Sequence, residues 1–249
     1  MSDKPKLDDL FASPLGNVPR FAFDEAVVDV FPDMIQRSVP GYSTIIAMTG
    51  VLAERYVQPN SRCYDLGSSL GASTLAMRRQ LHSRPCKIIA VDNSAAMQNR
   101  CREILAQDND GNASPVDVEL VDSDIRDITI ANASVVVLNF TLQFIANDTR
   151  EALLKRIFDG MLDGGILILS EKILFEDPHL QALNTDLHHS FKRANGYSEM
   201  EVSQKRTALE NVLIPETIAS HQHRLKAVGF NNVDVWFQCF NFASLVAIK

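Results

Sequence analysis

From residue 62 onward, short apolar runs alternate with longer amphipathic stretches. The runs at 63–66, 87–91, 116–121, 134–138 and 165–169 are rich in Val, Ile and Leu, and each spans only a strand's length. Residues 72–81, 95–107 and 149–162 lie between them and carry apolar positions at helical spacing. Val135-Val136-Val137-Leu138 is apolar without alternation, which predicts a central strand covered on both faces. Strand and helix in strict succession predict a doubly wound α/β fold around a mostly parallel sheet. A last helix over 217–228 stops at Gly229, and strands over 233–238 and 243–248 then predict an antiparallel closing hairpin through Cys239-Phe240-Asn241-Phe242. The expectation is a seven-stranded, Rossmann-like sheet within one domain over residues 1–249.

Two stretches depart from this rhythm. Residues 1–42 begin polar, with Pro5, Pro14 and Pro19, and continue as FAFDEAVVDVFPDMIQRSVPGY. Phe21, Phe23 and Phe31 are expected to anchor this N-terminal arm as a lid, and Pro32 and Pro40 to bend it repeatedly. A helix over 43–56 follows, with Ser43 expected as its N-cap. Residues 171–215 form the second departure, a helical insert. Ser198 followed by Glu201 predicts a capping box there. Lys192, Arg193, Lys205 and Arg206 make the insert locally basic. Such a run is usually a solvated face. An insert after the fifth strand nevertheless lies over the ligand edge of the sheet, where a guanidinium suits a carboxylate.

The chemistry concentrates at Asp65-Leu66-Gly67-Ser68-Ser69-Leu70-Gly71, a Gly-containing turn between the first strand and its helix. Glycine there admits positive φ and close approach of a ligand to the backbone. The second strand ends in Asp92-Asn93. An acid at that tip, after a Gly turn, is how doubly wound folds bind ribose hydroxyls. The pattern is D-x-G-x-x-x-G and lacks the G-x-G of dinucleotide sites. It resembles motif I of the class I S-adenosyl-L-methionine (SAM) methyltransferase-like fold. Asp124-Ile125, after the third strand, is expected at an adenine ring, and Asn139, ending the fourth strand, at the ligand. Asp122 and Asp127 read as solvated neighbours. No nucleophile follows Asn139.

The 249-residue chain carries a net charge of −7, which disfavours direct nucleic-acid binding. Its four cysteines form no C-x-x-C and read as reduced thiols. No apolar run approaches the roughly 20 residues of a membrane span, and no signal-peptide pattern opens the chain. A cytoplasmic protein with no membrane partner is expected. The loop 108–112 has a calcium-like texture but lacks the rest of an EF-hand pattern, and no structure is expected in it. His188-His189 and His221-x-His223 lack zinc spacing and read as surface or interface residues. No metal is expected.

Longer strings narrow the family. VFPDMIQRSVPGY (30–42), VVLNFTLQF (136–144), FKRANGYSEMEVSQKR (191–206) and FQCFNF (237–242) resemble carboxy-S-adenosyl-L-methionine synthases over nearly the whole chain. The resemblance implies a transferase that converts SAM and prephenate into carboxy-SAM and phenylpyruvate. Carboxy-SAM then serves a separate enzyme that modifies the wobble uridine of certain tRNAs. It implies ligand contacts at Tyr42, Gly67, Ser68, Ser69, Asp92, Asn93, Asp124, Ile125, Asn139 and Arg206. It also implies a homodimer in which Arg206 reaches the neighbouring subunit's added carboxylate. The family pattern G-C-S stands here as Gly67-Ser68-Ser69, so a required thiol is not expected at that turn. The alternative reading is an ordinary SAM-dependent methyltransferase of a small molecule or tRNA, with S-adenosylhomocysteine as product.

Overall fold

A computed structural model describes residues 6–81, 84–111, 116–210 and 212–249, without the side chains of 109–111. Residues 1–5 of the expected arm, and Asn112 of the loop expected at 108–112, lie outside the described residues.

The parallel strands are β1 (Ser61–Leu66), β2 (Cys86–Asp92), β3 (Asp117–Asp122), β4 (Ala133–Asn139) and β5 (Met161–Leu174). A two-residue strand, β6 (Glu216–Thr217), precedes the closing pair β7 (Asn232–Cys239) and β8 (Phe242–Ile248). The sheet runs β3-β2-β1-β4-β5-β8-β7, with β6 against the end of β5. The five strands from β3 to β5 pair in parallel, while β8 is antiparallel to β5 and β7 to β8. The expected sheet and closing hairpin are therefore present, and β6 adds a short eighth strand.

Alternate residues of the central strands feed two cores. Tyr64, Leu66, Val136 and Leu138 face one side, with Leu153, Leu154, Ile157 and Leu225 of α5 (Asn147–Gly160) and α8 (Ile218–Val228). Cys63, Val135 and Val137 face the other, with Ala53 and Met77 of α2 (Tyr42–Tyr56) and α3 (Ala72–Gln80). This two-sided burial explains why β4 reads as an unbroken apolar run.

Three local expectations give way to tertiary context. The stretch bearing Pro32 is a helix, α1 (Glu25–Ser38), and does not bend repeatedly. Asp24 caps it, accepting from Val27 N–H at 3.1 Å, and Val27, Val30 and Met34 bury one face. That burial offsets the cost of about 3 kcal/mol that an interior proline imposes on a helix. The bend comes at Val39, which is extended before Pro40, and at Gly41, at φ 77°. Gly41 then begins α2, so Ser43 lies inside that helix and is not its cap. Finally, α4 (Ala95–Gly111) runs through 108–111, where no structure was expected. Asp108 accepts from Arg78 at 3.3 Å and Arg79 at 3.2 Å, which ties that helix end to α3.

The 171–215 stretch contains α6 (Pro178–Ala194) and α7 (Glu199–Leu209), the latter opened by the Ser198–Glu201 capping box. β5 extends into it as far as Leu174. Its exit is fixed by the fully buried Arg150, which donates to Ile214 O at 2.7 Å and pairs with Glu216. The arm is pinned to α7. Gln204 Nε2 donates to the carbonyls of Phe11 and Ser13, both at 2.9 Å, and Phe21 N–H donates to Ala208 O at 3.0 Å.

Candidate functional site

The carboxyl ends of the parallel strands open into a cavity of about 740 Å³. The arm, α1, α6 and α7 wall it on the side away from the sheet. Tyr42, Gly67, Ser68, Ser69, Asp92, Asn93, Asp124, Ile125 and Asn139 all line it. Arg206 does not. It is exposed and borders a separate shallow depression with His189, Arg193 and Glu199.

The turn after β1 is built by backbone geometry. Gly67 sits at φ 81°, and a Cβ there would lie 2.3 Å from Thr141 Oγ1. Gly67 and Ser68 N–H both donate to Val91 O, at 2.8 and 2.9 Å. Ser69 is left-handed at φ 49°, and this aims its N–H at Asp92 Oδ2, 2.8 Å away. Ser94 N–H donates to Asp92 Oδ1 at 2.9 Å. The acid at the β2 tip is thereby locked in orientation. Its pKa is raised because burial outweighs those two donors. Beneath the turn, the buried Asp65 accepts from Thr74 Oγ1 at 2.6 Å, and burial pushes its carboxyl up to about 6.

Asp124 is held by Arg126, whose Nε and Nη2 fork onto its two oxygens at 2.9 and 2.7 Å. That pairing keeps its carboxyl below the usual range. Asn139 Nδ2 donates to Ser73 Oγ at 3.2 Å. Asn139 Oδ1 and Ser68 Oγ are buried without any partner. Two orphaned polar atoms on one cavity wall fit a ligand carrying hydroxyl and amino groups. Phe140, just beyond Asn139, is left-handed at φ 59° and packs between Tyr42 and Phe242. Strain in so bulky a residue marks a constrained turn at the ligand edge.

The far end of the cavity has a different character, which the sequence did not disclose. Lys172 of β5, Lys192 of α6 and Lys205 of α7 line it together with His188. Lys192 and Lys205 are buried and do not form the solvated face usual for such a run. His188 and His221, expected at the surface or an interface, are instead buried within the chain. His188 lies on the inner side of α6, with Nε2 2.8 Å from Ser38 O and its ring edge-on to Phe242. Burial and the nearby Lys192 and Lys172 charges hold its imidazole far below its ordinary pKa. It is therefore neutral, and Nε2–H donates to the carbonyl. The advance signals were the basic composition of the insert and its expected place over the ligand edge, and neither says which side of a helix is covered.

Asp8 comes from the arm. It accepts from Lys205 Nζ at 3.0 Å and from Tyr197 Oη, linking arm to insert. Glu171, fully buried beside Lys172, turns the opposite way and accepts from Leu142 and Gln143 N–H at 3.0 and 2.8 Å. Burial still raises it to about 8. Among the described residues, no three His, Cys, Asp or Glu side chains are grouped to hold a metal.

Comparison with known proteins agrees with this fold. A methyltransferase-domain family profile matches residues 64–165. A carboxy-S-adenosyl-L-methionine synthase from Trichlorobacter lovleyi is 62% identical over 98% of this chain and 99% of its own. The synthase of the same name from Vibrio cholerae is 58% identical over 97% of both chains. Among solved structures, a SAM-dependent methyltransferase from Methanococcus maripaludis superposes with a TM-score of 0.58 at 19% identity, over 95% of this chain and 97% of that one. Human N-acetylserotonin methyltransferase with SAM gives a TM-score of 0.58 at 16% identity, over 90% of this chain and 55% of that one. No helix of the described residues is long and apolar enough to cross a membrane.

Proposed function

Because the chain belongs to the carboxy-S-adenosyl-L-methionine synthase family, whose reaction turns SAM into carboxy-SAM, we propose that its second substrate is prephenate, that its site residues hold SAM as laid out below, and that it works as a homodimer.

The observation that carries the reading is the division of the cavity into two ends. Asp92, the 67–69 turn, Asp124-Ile125 and Asn139 form the nucleoside end. Asp92 serves the ribose hydroxyls, the neighbourhood of Ile125 the adenine, and Asn139 Oδ1 and Ser68 Oγ the remaining donors of SAM. The lysine end, beyond Asn139, receives the anion. Tyr42 and Phe140 form the apolar waist between them, where the sulfonium methyl meets the second substrate.

The chemistry asks little of the protein beyond placement. A sulfonium stabilises an adjacent carbanion. Prephenate aromatises to phenylpyruvate as it loses carbon dioxide and its ring hydroxide. The hydroxide takes one proton from the SAM methyl and leaves as water, and the methyl carbon bonds carbon dioxide. Carboxy-SAM, phenylpyruvate and water account for every atom. Proximity in a positive, water-poor pocket supplies the catalysis.

Arg206, exposed on α7, is assigned to the partner's cavity, where it pairs with the new carboxylate. The apolar stripe of Leu180, Leu183 and Leu187, exposed on α6, supports a second copy. Carboxy-SAM then passes to a tRNA wobble-uridine-modifying enzyme. The protein stays in the cytoplasm, and its acidic charge argues against binding the tRNA itself.

The test is product mass. Incubation with SAM and prephenate should give a nucleoside heavier than SAM by one carbon dioxide, with phenylpyruvate in equal amount. Unchanged SAM would refute prephenate as co-substrate. S-adenosylhomocysteine on addition of tRNA would instead favour the ordinary methyltransferase.

A further inference from the structure

We propose that Lys172 and Lys192, supported by Lys205, form a dedicated subsite for the two carboxylates of the second substrate, separate from the groups that hold SAM. This inference rests on the reading of that substrate as a small dicarboxylic acid, and it assigns its recognition to named residues.

The argument begins with charge. Lys205 is neutralised by Asp8 at 3.0 Å and also donates to Ser38 Oγ at 3.1 Å. Lys172 and Lys192 have no carboxylate within ion-pair distance among the described residues. Three neighbouring acids are engaged elsewhere. Asp8 is on Lys205, Asp33 accepts from Arg37 at 3.0 Å, and Glu171 is turned onto backbone N–H groups. Two ammonium groups without an ion-pair partner among the described residues therefore line one cavity, and one of them belongs to Lys192, a residue only 6% exposed. A buried charge without a partner is costly unless a ligand supplies the counter-charge. Burial already depresses Lys172, and burial with the Lys205 and Lys172 charges depresses Lys192 to about 7.

Position points the same way. Across the β5–β8 register Lys172 stands opposite Phe242, and His188 rests on that ring at 4.9 Å. His188 is in turn bonded to Ser38 O, on the residue whose hydroxyl accepts from Lys205. The lysines thus come from three different elements around one uncharged wall of Ser38, His188 and Phe242. Their place at β5, beyond Asn139 of β4, is the opposite end of the cavity from Asp92 of β2. A dianion there lies next to SAM without competing for its ribose contacts.

The test uses Lys172→Met, Lys192→Met and Lys192→Arg in the full-length chain. Two quantities are read for each, the KM for prephenate and the Kd for SAM. Calorimetry adds the binding of prephenate and of phthalate, a non-reacting dicarboxylate, to protein saturated with S-adenosylhomocysteine. Each Met variant should raise the prephenate KM and both dicarboxylate Kd values at least about tenfold, the loss expected for a charge-assisted contact. SAM Kd should stay within about twofold, and Lys192→Arg should recover most of the loss. The melting temperature should not fall, because removing an unpaired buried charge relieves a cost.

Unchanged prephenate KM with carboxy-SAM still forming would overturn the subsite while leaving the reaction intact. So would a parallel weakening of SAM, which would mean that the lysines hold the methionine carboxylate. Lysine-dependent phthalate binding without any turnover of prephenate would uphold the subsite and refute prephenate. Absence of both turnover and dicarboxylate binding in the wild type would overturn both.

Discussion

The backbone N–H of Ser69 donates to Oδ2 of Asp92 across 2.8 Å, so the turn after β1 and the acid ending β2 form one unit. Neither residue is placed without the other. Ser69 must be left-handed to aim its N–H, and Asp92 must be fixed to present its remaining lone pairs. Asp92→Ala should raise the SAM Kd at least about tenfold, by loss of charge-assisted bonds to the ribose. It should also lower the melting temperature, because Ser69 and Ser94 N–H lose their acceptor. Calorimetry and thermal unfolding of the one variant check both.

Gly67 contributes to this unit through having no side chain. Gly67→Ala should impair both folding and SAM affinity, since its Cβ would meet Thr141 at 2.3 Å and its φ is 81°. Adding Thr141→Gly should relieve the steric part and leave the conformational part, of order 1 kcal/mol. A double-mutant cycle in denaturant separates the two.

Asp65 ties stability to pH. Its carboxyl, pushed up to about 6 in the fold, lies above its value of about 4 in an unfolded chain. A raised carboxyl favours folding below the unfolded pKa, and that contribution is lost as pH rises through the folded one. Asp65→Asn should therefore gain on the wild type between about pH 4 and 7, by about 2–3 kcal/mol. Thr74→Val, which removes the 2.6 Å donor, should cost about 1–3 kcal/mol at pH 7. Urea unfolding across that range measures both.

Lys192 should set a pH limit on the second substrate. Its ammonium form binds the anion, and its pKa is depressed to about 7 by burial and by Lys205 and Lys172, against the pull of Asp8. His188, held neutral, adds no charge at these pH values. The prephenate KM should climb as pH rises from 7 to 9 while the SAM Kd stays level. In Lys192→Met the bend near pH 7 should vanish.

Arg206 makes a subunit-sharing prediction. Arg206→Ala should reduce carboxy-SAM formation at least about tenfold while leaving SAM affinity within about threefold. Mixing this variant with Asp92→Ala should restore activity, because one site in the mixed dimer keeps its own Asp92 and receives its partner's Arg206. No recovery on mixing would remove Arg206 from the partner's site.

Much of the fold could be read from the chain because its signals are local. The unbroken apolar run of β4, the Gly turn, and the Ser198–Glu201 box each act over a few residues, and each appears where its residues predict. The failures share the opposite property. Pro32 sits inside α1 because that helix's buried face outweighs the proline. Helix α4 runs past Gln107 to Gly111, where Asp108 meets two arginines of α3. Lys192, Lys205 and His188 are polar residues on exposed-looking helices, and no periodicity announces that their side chains point inward.

The sequence alone determined the order of strands and helices, the Gly turn after β1, and the acid at the tip of β2, because hydrophobic period and glycine conformation are properties of neighbouring residues. Tertiary structure decided where the positive charge goes. Whether a lysine is solvated or buried depends on what covers it, and here the covers are Asp8 of the arm, Ser38 at the end of α1, and Phe242 of β8. These residues are remote in sequence and meet only when the arm and the insert close over the sheet.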